Sequence, residues 1–425
     1  LRIDAGGPRA ISQLQILESI MEKAHNASID EIGLPKKKPC ELFDLIGGVG
    51  TGGLIVILLV VFEMTASEAL EAFTDFSVKV FKDVNRDPGM QTQKLKQAVQ
   101  ELLDKYQINP ERELISDGDA TPHCKLIIPI MHRNHAGTNC ILSNFADRRQ
   151  PPMNLTVAEA MLTTLATPPL FDPVKISKDF STFEYISGDL GLSNPVREVL
   201  VGAHRTFGDE ATVACLLSIG CGHLGINRAP SVLDPGTRIH FLERLALDSE
   251  RPAQEVETQM AHLPLYHRFS VRKGLEVSHG YVWKDIFNIT ARTATYLEDL
   301  EATELVDRCI NTLKDENGFT TLERLTQNSC RFNSVHFVDG SSRESIQYDL
   351  VKHVRAVGPA HSQDSLEEAI GFLSQPAPDG ERFLVIDNVD DPSLDLSRFL
   401  PRWVNGVVAI TSRNHSRGQS NPVFH

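Results

Sequence analysis

The stretch from residue 44 to 62 constrains the fold more than any other. Asp44-Leu45-Ile46-Gly47-Gly48-Val49-Gly50-Thr51-Gly52-Gly53 runs directly into Leu54-Ile55-Val56-Ile57-Leu58-Leu59-Val60-Val61-Phe62. A short apolar segment, a cluster of glycines and a continuous apolar run predict a strand, a tight turn and a helix buried on every side. The apolar run is too short to cross a bilayer, so a core helix is expected. A strand and a helix that are both buried demand a layered α/β core. A chain of 425 residues can fill such a core and has length left for further domains.

The rest of the chain supports that reading. Leu1 to Asp4 reads as a short strand entering the loop Ala5-Gly6-Gly7. From Ser12, the spacing of Leu14, Ile16, Leu17, Ile20 and Met21 fits one face of a helix. Thr65-x-x-Glu68 and Thr156-x-x-Glu159 are capping boxes, each opening a helix. Lys125 to Met131, Phe183 to Ile186 and Thr212 to Ile219 read as strands. The expected fold class is α/β, a central sheet flanked by helices, over residues 1–235. Residues 236–328 are charged, helix-forming and poor in strand signal, as in a helical extension or linker. Beyond a seam near Cys330, α/β character returns over 331–425, with strands at Ser334 to Asp339, Phe383 to Asp387 and Val407 to Thr411.

Charge and cysteine usage narrow the function. There are 42 basic and 56 acidic side chains, a net charge of −14, and no long basic stripe. That balance disfavours a general nucleic-acid binder, and no nucleic-acid partner is expected. The 7 cysteines are odd in number and include no C-x-x-C pair, which suits free thiols in a reducing, cytoplasmic compartment. His123-Cys124 and His132-Arg133-Asn134-His135 lack the spacing of a closed zinc site, so neither a metal nor a cofactor is expected. Cys221, close to His223, reads as a packed thiol.

The frame Gly48-x-Gly50-x-Gly52 is that of the elbow on which acyl hydrolases carry a nucleophilic serine. Its glycines permit the strained turn, but its central residue is Gly50, which has no side chain.

Several blocks, in order, resemble the patatin-like phospholipase family over residues 1–235. The family's D-G-G-G-x-R-G loop resembles Asp4-Ala5-Gly6-Gly7-Pro8-Arg9-Ala10, and its G-x-S-x-G-G elbow resembles Gly48 to Gly53. Its D-G-x-x-x-x-x-N-P block resembles Ser187-Gly188-Asp189-Leu190-Gly191-Leu192-Ser193-Asn194-Pro195. A strand ending S-I-G-T-G resembles Ser218-Ile219-Gly220-Cys221-Gly222. The resemblance implies a serine nucleophile activated by an aspartate, with an oxyanion held by the first glycine loop. On that alignment the serine position is Gly50 and the aspartate position is Ser187. Gly6, Gly7 and Arg9 remain of the oxyanion loop, and Gly48 and Gly52 of the elbow. Thr51 and Asp189 form a conceivable substitute pair. The expectation is a pseudoenzyme of hydrolase ancestry, acting as a lipid-binding or signalling module. Its ligand would be a lipid or acyl ester, with peripheral membrane contact and protein partners left open. The alternative is an active phospholipase A-type acyl hydrolase of lipid catabolism with an atypical nucleophile.

Residues 331–425 resemble the NB-ARC nucleotide-binding module of the STAND class, which fungal proteins fuse to patatin-like domains. Phe383 to Asp391 resembles its Walker B strand, with Asp387, Asp390 and Asp391 as the acids. Val407 to Arg413 resembles the following sensor strand, ending in Arg413. No G-x-x-x-x-G-K-[ST] occurs, so the phosphate cradle is missing and ATP binding is not expected. The module reads as cut at both ends, and an altered gene model is a third explanation of the chain.

Overall fold

The computed structural model describes residues 1–26, 36–85, 87–115, 122–135, 139–145, 153–178, 181–222, 248–272, 286–314, 318–329, 332–355, 365–374, 381–391, 393–401 and 406–412. Two units emerge, Leu1–Thr326 and Gln327–His425.

The first unit is organised by an eight-stranded sheet. Its strands are β1 (Arg2–Ile3), β2 (Leu45–Gly48), β3 (Lys125–His132), β4 (Asn139–Ser143), β5 (Val174–Lys178), β6 (Ser181–Ser187), β8 (Leu216–Ile219) and β9 (Tyr266–Phe269). The order is β5-β6-β3-β2-β1-β8-β9, with β4 paired to β3. Strands β3, β2, β1, β8 and β9 run parallel. The carboxyl ends of β1, β2 and β8 therefore open on one edge, where α/β sheets hold their ligands.

One detail of register places the site. Ile127 pairs with Gly47 of β2 and with Ser143 of β4, while Ile130 pairs with Ser187 of β6 and with Cys140 of β4. Strands β2 and β6 thus lie on the same side of β3, one beyond the other and opposed in direction. Their ends meet head-on, so the residues after Ser187 arrive at the residues after Gly48.

Helices cover the sheet for reasons legible in their sequences. Helix α1 (Ala10–Asn26) buries Leu14, Ile16, Leu17 and Ile20 completely. Helix α2 (Pro39–Leu42) is a single turn. Helix α3 (Thr51–Val60) follows the elbow, and Leu54 to Leu59 have no exposed surface. Helix α4 (Ala66–Phe81) is capped as expected: Thr65 Oγ1 accepts from Glu68 N, and the Glu68 carboxylate accepts from Thr65 N. Helix α5 (Pro88–Lys105) packs on α4, and α6 (Val157–Leu165) opens with the same box at Thr156 and Glu159. Helix α7 is Val196–Phe207. Among the described residues, no helix is long and apolar enough to cross a membrane.

Two expectations change. The run Thr212 to Ile219 is not one strand. Its start, β7 (Thr212–Val213), pairs with β10 (Thr320–Thr321) in a small antiparallel sheet, and only Leu216–Ile219 joins the main sheet. The stretch 236–328 is not purely helical. It supplies β9 to the sheet, between α8 (Glu250–Gln259) and the helices α9 (Ile286–Glu298) and α10 (Leu300–Leu313). Ile289, Val306, Cys309 and Ile310 sit in the same core as α1 and α3. The composition change at 235 therefore does not separate two compact units. Helix α11 (Leu322–Ser329) follows β10.

The second unit has its own core. Strands β11 (Phe332–Asp339), β12 (Glu381–Asp387) and β13 (Gly406–Ile410) form a parallel sheet in that order. Helices α12 (Arg343–Arg355) and α13 (Leu366–Ser374) bury Ile346, Leu350, Ala369 and Leu373 with Leu384, Ile386 and Phe399.

Candidate active site

The elbow has the backbone of a nucleophile turn without the nucleophile. Gly50 stands between β2 and α3 at φ 60°, ψ −128°, a conformation costly for any residue with a Cβ. Gly52 allows α3 to press on β1, since a Cβ there would lie 2.6 Å from the carbonyl oxygens of Ile3 and Asp4. Gly48 backs the turn, with its own Cβ position 2.5 Å from the Gly52 carbonyl. Thr164 Oγ1 on α6 donates to the Gly50 carbonyl at 3.0 Å and fixes the peptide.

The carboxylate facing this turn belongs to Asp189. A Cβ built on Gly50 would lie 3.3 Å from Asp189 Oδ2, 3.4 Å from Asp189 Cβ and 3.2 Å from Ala5 Cβ. Ser187, aligned by motif with the family's aspartate, is buried at the end of β6 and accepts a 3.3 Å hydrogen bond from Asp189 N. Its role here is to support the turn that carries Asp189. The head-on meeting of β2 and β6 is what brings the carboxylate to the elbow. The motif alignment puts the aspartate position at Ser187, whereas the carboxylate that faces the turn stands two residues on.

Asp189 is only 5% exposed. Thr167 Oγ1 donates to its Oδ2 at 2.7 Å, while Oδ1 is buried with no hydrogen-bond partner. Burial pushes the carboxyl above the ordinary aspartate range, opposed by the hydrogen bonds from Thr167 and Ser187. A carboxyl so placed is a better proton acceptor than an exposed one once it ionises.

The first glycine loop closes the other side. Gly6 N donates to Thr51 Oγ1 at 3.2 Å, so this hydroxyl occupies a donor that an oxyanion would use. Gly7 lines the cavity beside Thr51, Thr167 and Asp189. Arg9 is directed elsewhere: its Nη1 donates to the carbonyls of Cys221 and Gly222 at 3.3 and 3.0 Å, tying the loop to the strand β8. The cavity is apolar on its far wall, formed by Phe81, Leu165, Leu170 and Phe171, and measures about 10 Å³. That is room for about one water and none for an acyl chain without side-chain movement.

Beneath the loop lies a buried ionic network that sequence reading did not find. Arg2 pairs with Asp4, both with no exposed surface, and Arg2 Nη2 donates to Ser218 Oγ at 2.5 Å. Arg268 Nη2 meets Asp4 Oδ2 and Glu250 Oε1, each at 2.7 Å, and Ser270 Oγ donates to the same Glu250 oxygen. The only sequence signal is a charged residue on either side of Ile3 in a strand otherwise buried. Its distant partners carry none.

Residues 1–200 match the model of the patatin-like phospholipase family. The turn at Gly50, the loop after β1 and Asp189 all lie within the matched residues. No curated protein matches the chain. Among solved structures, the crystal structure of VipD from Legionella pneumophila is similar at a TM-score of 0.35 and 11% identity, over 88% of this chain and 79% of that one.

In the second unit, Asp387 accepts a hydrogen bond from Thr411 Oγ1, and Asp391 Oδ1 accepts from Ser393 N and Oγ at 2.8 and 2.7 Å. Asp390 follows β12 beside them, half-buried. Arg413 lies outside the described residues.

Proposed function

We propose that the patatin-like domain is a non-catalytic lipid or acyl-ester binding module, descended from an acyl hydrolase by loss of its nucleophile. The observation that carries this reading is a buried carboxylate facing a sharp turn whose central residue has no side chain. The turn at Gly50 has the nucleophile backbone, Asp189 Oδ2 faces the missing Cβ at 3.3 Å, and a glycine loop borders both. In an active relative of this design, serine Oγ gives its proton to the aspartate as it attacks the ester carbonyl, and loop N–H groups hold the oxyanion. Here the first of those steps has no donor.

The alternative is turnover with Thr51 as nucleophile. Thr51 lines the same cavity as Asp189, which keeps the reading open. Against it, the Thr51 hydroxyl accepts the Gly6 N–H, so attack would cost the site one oxyanion donor. The test is hydrolysis of a short-chain nitrophenyl ester and of a phospholipid by the purified chain, beside Thr51→Ala. An inert native chain that still binds phospholipid vesicles supports the module. Turnover that disappears in Thr51→Ala overturns it. For the second unit, we infer a remnant of an NB-ARC-like module without nucleotide binding. Three parallel strands with acids at the end of β12 support that descent.

A further inference from the structure

Three side chains far apart in sequence converge at the foot of the main sheet, away from the elbow. Cys215 precedes β8, His267 lies on β9 and Cys309 lies on α10. One ligand atom from each falls within 4.8 Å of the other two, the one such group among the described residues. His267 and Cys309 are buried, and Cys215 is half-buried.

The imidazole is held in a ligand's tautomer. His267 Nε2 and Thr312 Oγ1 are 2.9 Å apart. The single hydroxyl proton of Thr312 is directed to a backbone carbonyl, that of Arg308 at 2.9 Å or Pro264 at 3.3 Å. With that proton on a carbonyl, Thr312 accepts from His267, an arrangement that puts the ring proton on Nε2 and leaves Nδ1 its lone pair. This tautomer is assigned from the hydrogen-bond pattern. A ring nitrogen oriented by a hydrogen bond on its opposite side is the usual arrangement of metal-bound histidine.

We propose that Cys215, His267 and Cys309 bind a thiophilic cation, zinc(II), through two thiolates and one imidazole nitrogen. Two sulfurs and a nitrogen are the donor set that zinc takes from proteins, and a fourth position is left for water. Zinc–sulfur bonds of about 2.3 Å at a tetrahedral angle set the sulfurs roughly 4 Å apart, so small side-chain rotations would close the set. Binding converts both thiols to thiolates and releases their protons to solvent, while the neutral imidazole releases none. The ion would fasten α10 to β8 and β9.

The test uses the whole chain, purified under reducing conditions, loaded with zinc and desalted. One zinc per chain is expected by elemental analysis. Loading with cobalt(II) instead is expected to give a thiolate-to-metal charge-transfer band. His267→Ala and Cys309→Ser should lose the metal on desalting, whereas Cys124→Ser, at a buried thiol outside the group, should keep it. Because Cys309 is buried, a second measurement needs no variant: zinc should protect Cys215 and Cys309 of the native chain from alkylation, mapped by mass spectrometry. Failure of the native chain to retain zinc would overturn the proposal. So would equal retention by Cys309→Ser, protection falling on other cysteines, or recovery of Cys215 and Cys309 as a disulfide.

Discussion

Asp189 Oδ2 lies 3.3 Å from the point where a Cβ on Gly50 would stand. A serine hydroxyl, one bond further out, can reach that carboxylate. With Asp189 as the base, restoring one atom group rather than two is the expected requirement. Aligning the family's aspartate with Ser187 leads to a different expectation, that a serine at position 50 would lack its base.

Gly50→Ser alone should gain esterase activity, at least about 100-fold over the native chain, given that loss of a nucleophile costs on the order of 10⁶ in kcat. Adding Asp189→Asn should return the rate to the native level, and adding Ser187→Asp should bring no further gain. Nitrophenyl ester hydrolysis measures all three. An equal rate in Gly50→Ser with and without Asp189→Asn would remove Asp189 from the role of base.

The same change should weaken the fold. A side chain at φ 60°, ψ −128° stores about 1–3 kcal/mol, and the new Cβ would stand 3.2 Å from Ala5 Cβ, tighter than most real contacts. Ala5→Gly removes that contact. Urea unfolding of the four species in a double-mutant cycle should show favourable coupling of about 0.5–1.5 kcal/mol between Ala5→Gly and Gly50→Ser.

Asp189 gives the native chain a pH signature. Its folded pKa is raised, so its neutral form favours the fold. That contribution is fully present below the unfolded pKa of about 3.9 and is lost as pH rises through the folded value. Asp189→Asn should therefore gain stability relative to the native chain as pH increases across that window. A variant Tm that falls relative to the native Tm as pH rises would contradict it. In Gly50→Ser, the ester rate should rise with pH along an acid limb lying above the ordinary carboxylate range.

Arg268→Ala should be severely destabilising, by about 3–5 kcal/mol, because it removes the guanidinium that meets both Asp4 and Glu250 and leaves Asp4 with Arg2 alone. Glu250→Gln should cost less, since Asp4 keeps both arginines. Thermal melting ranks the two, and the reverse order would mean that Glu250 is the critical partner.

The elbow, the capping boxes and the inner strands were legible because their signals are local. Glycine spacing, Thr-x-x-Glu and apolar runs act within one element. What was illegible depends on contacts between elements. Asp189 faces the elbow because two strands end head-on along β3, which no spacing of Ser187-Gly188-Asp189 discloses. Arg9 fits the glycine-loop motif, yet its guanidinium caps the end of β8. Strand β9 is four residues, Tyr266 to Phe269, half of them polar, and pairs with a strand far earlier in the chain. His267 and Cys309 meet Cys215 only after β9 and α10 have docked.

The family match ends at residue 200, but the sheet does not. Strand β1, which carries the glycine loop at its end, pairs with β8 beyond that point, and β8 pairs in turn with β9. A fragment stopping where the similarity stops would present β1 as a bare edge, with Arg2 and Asp4 at it and two of their partners gone. Such an edge recruits strands from other molecules, and self-association rather than a smaller working domain is what that fragment would yield. The span matched by the family model and the span that completes the sheet have different ends in this chain.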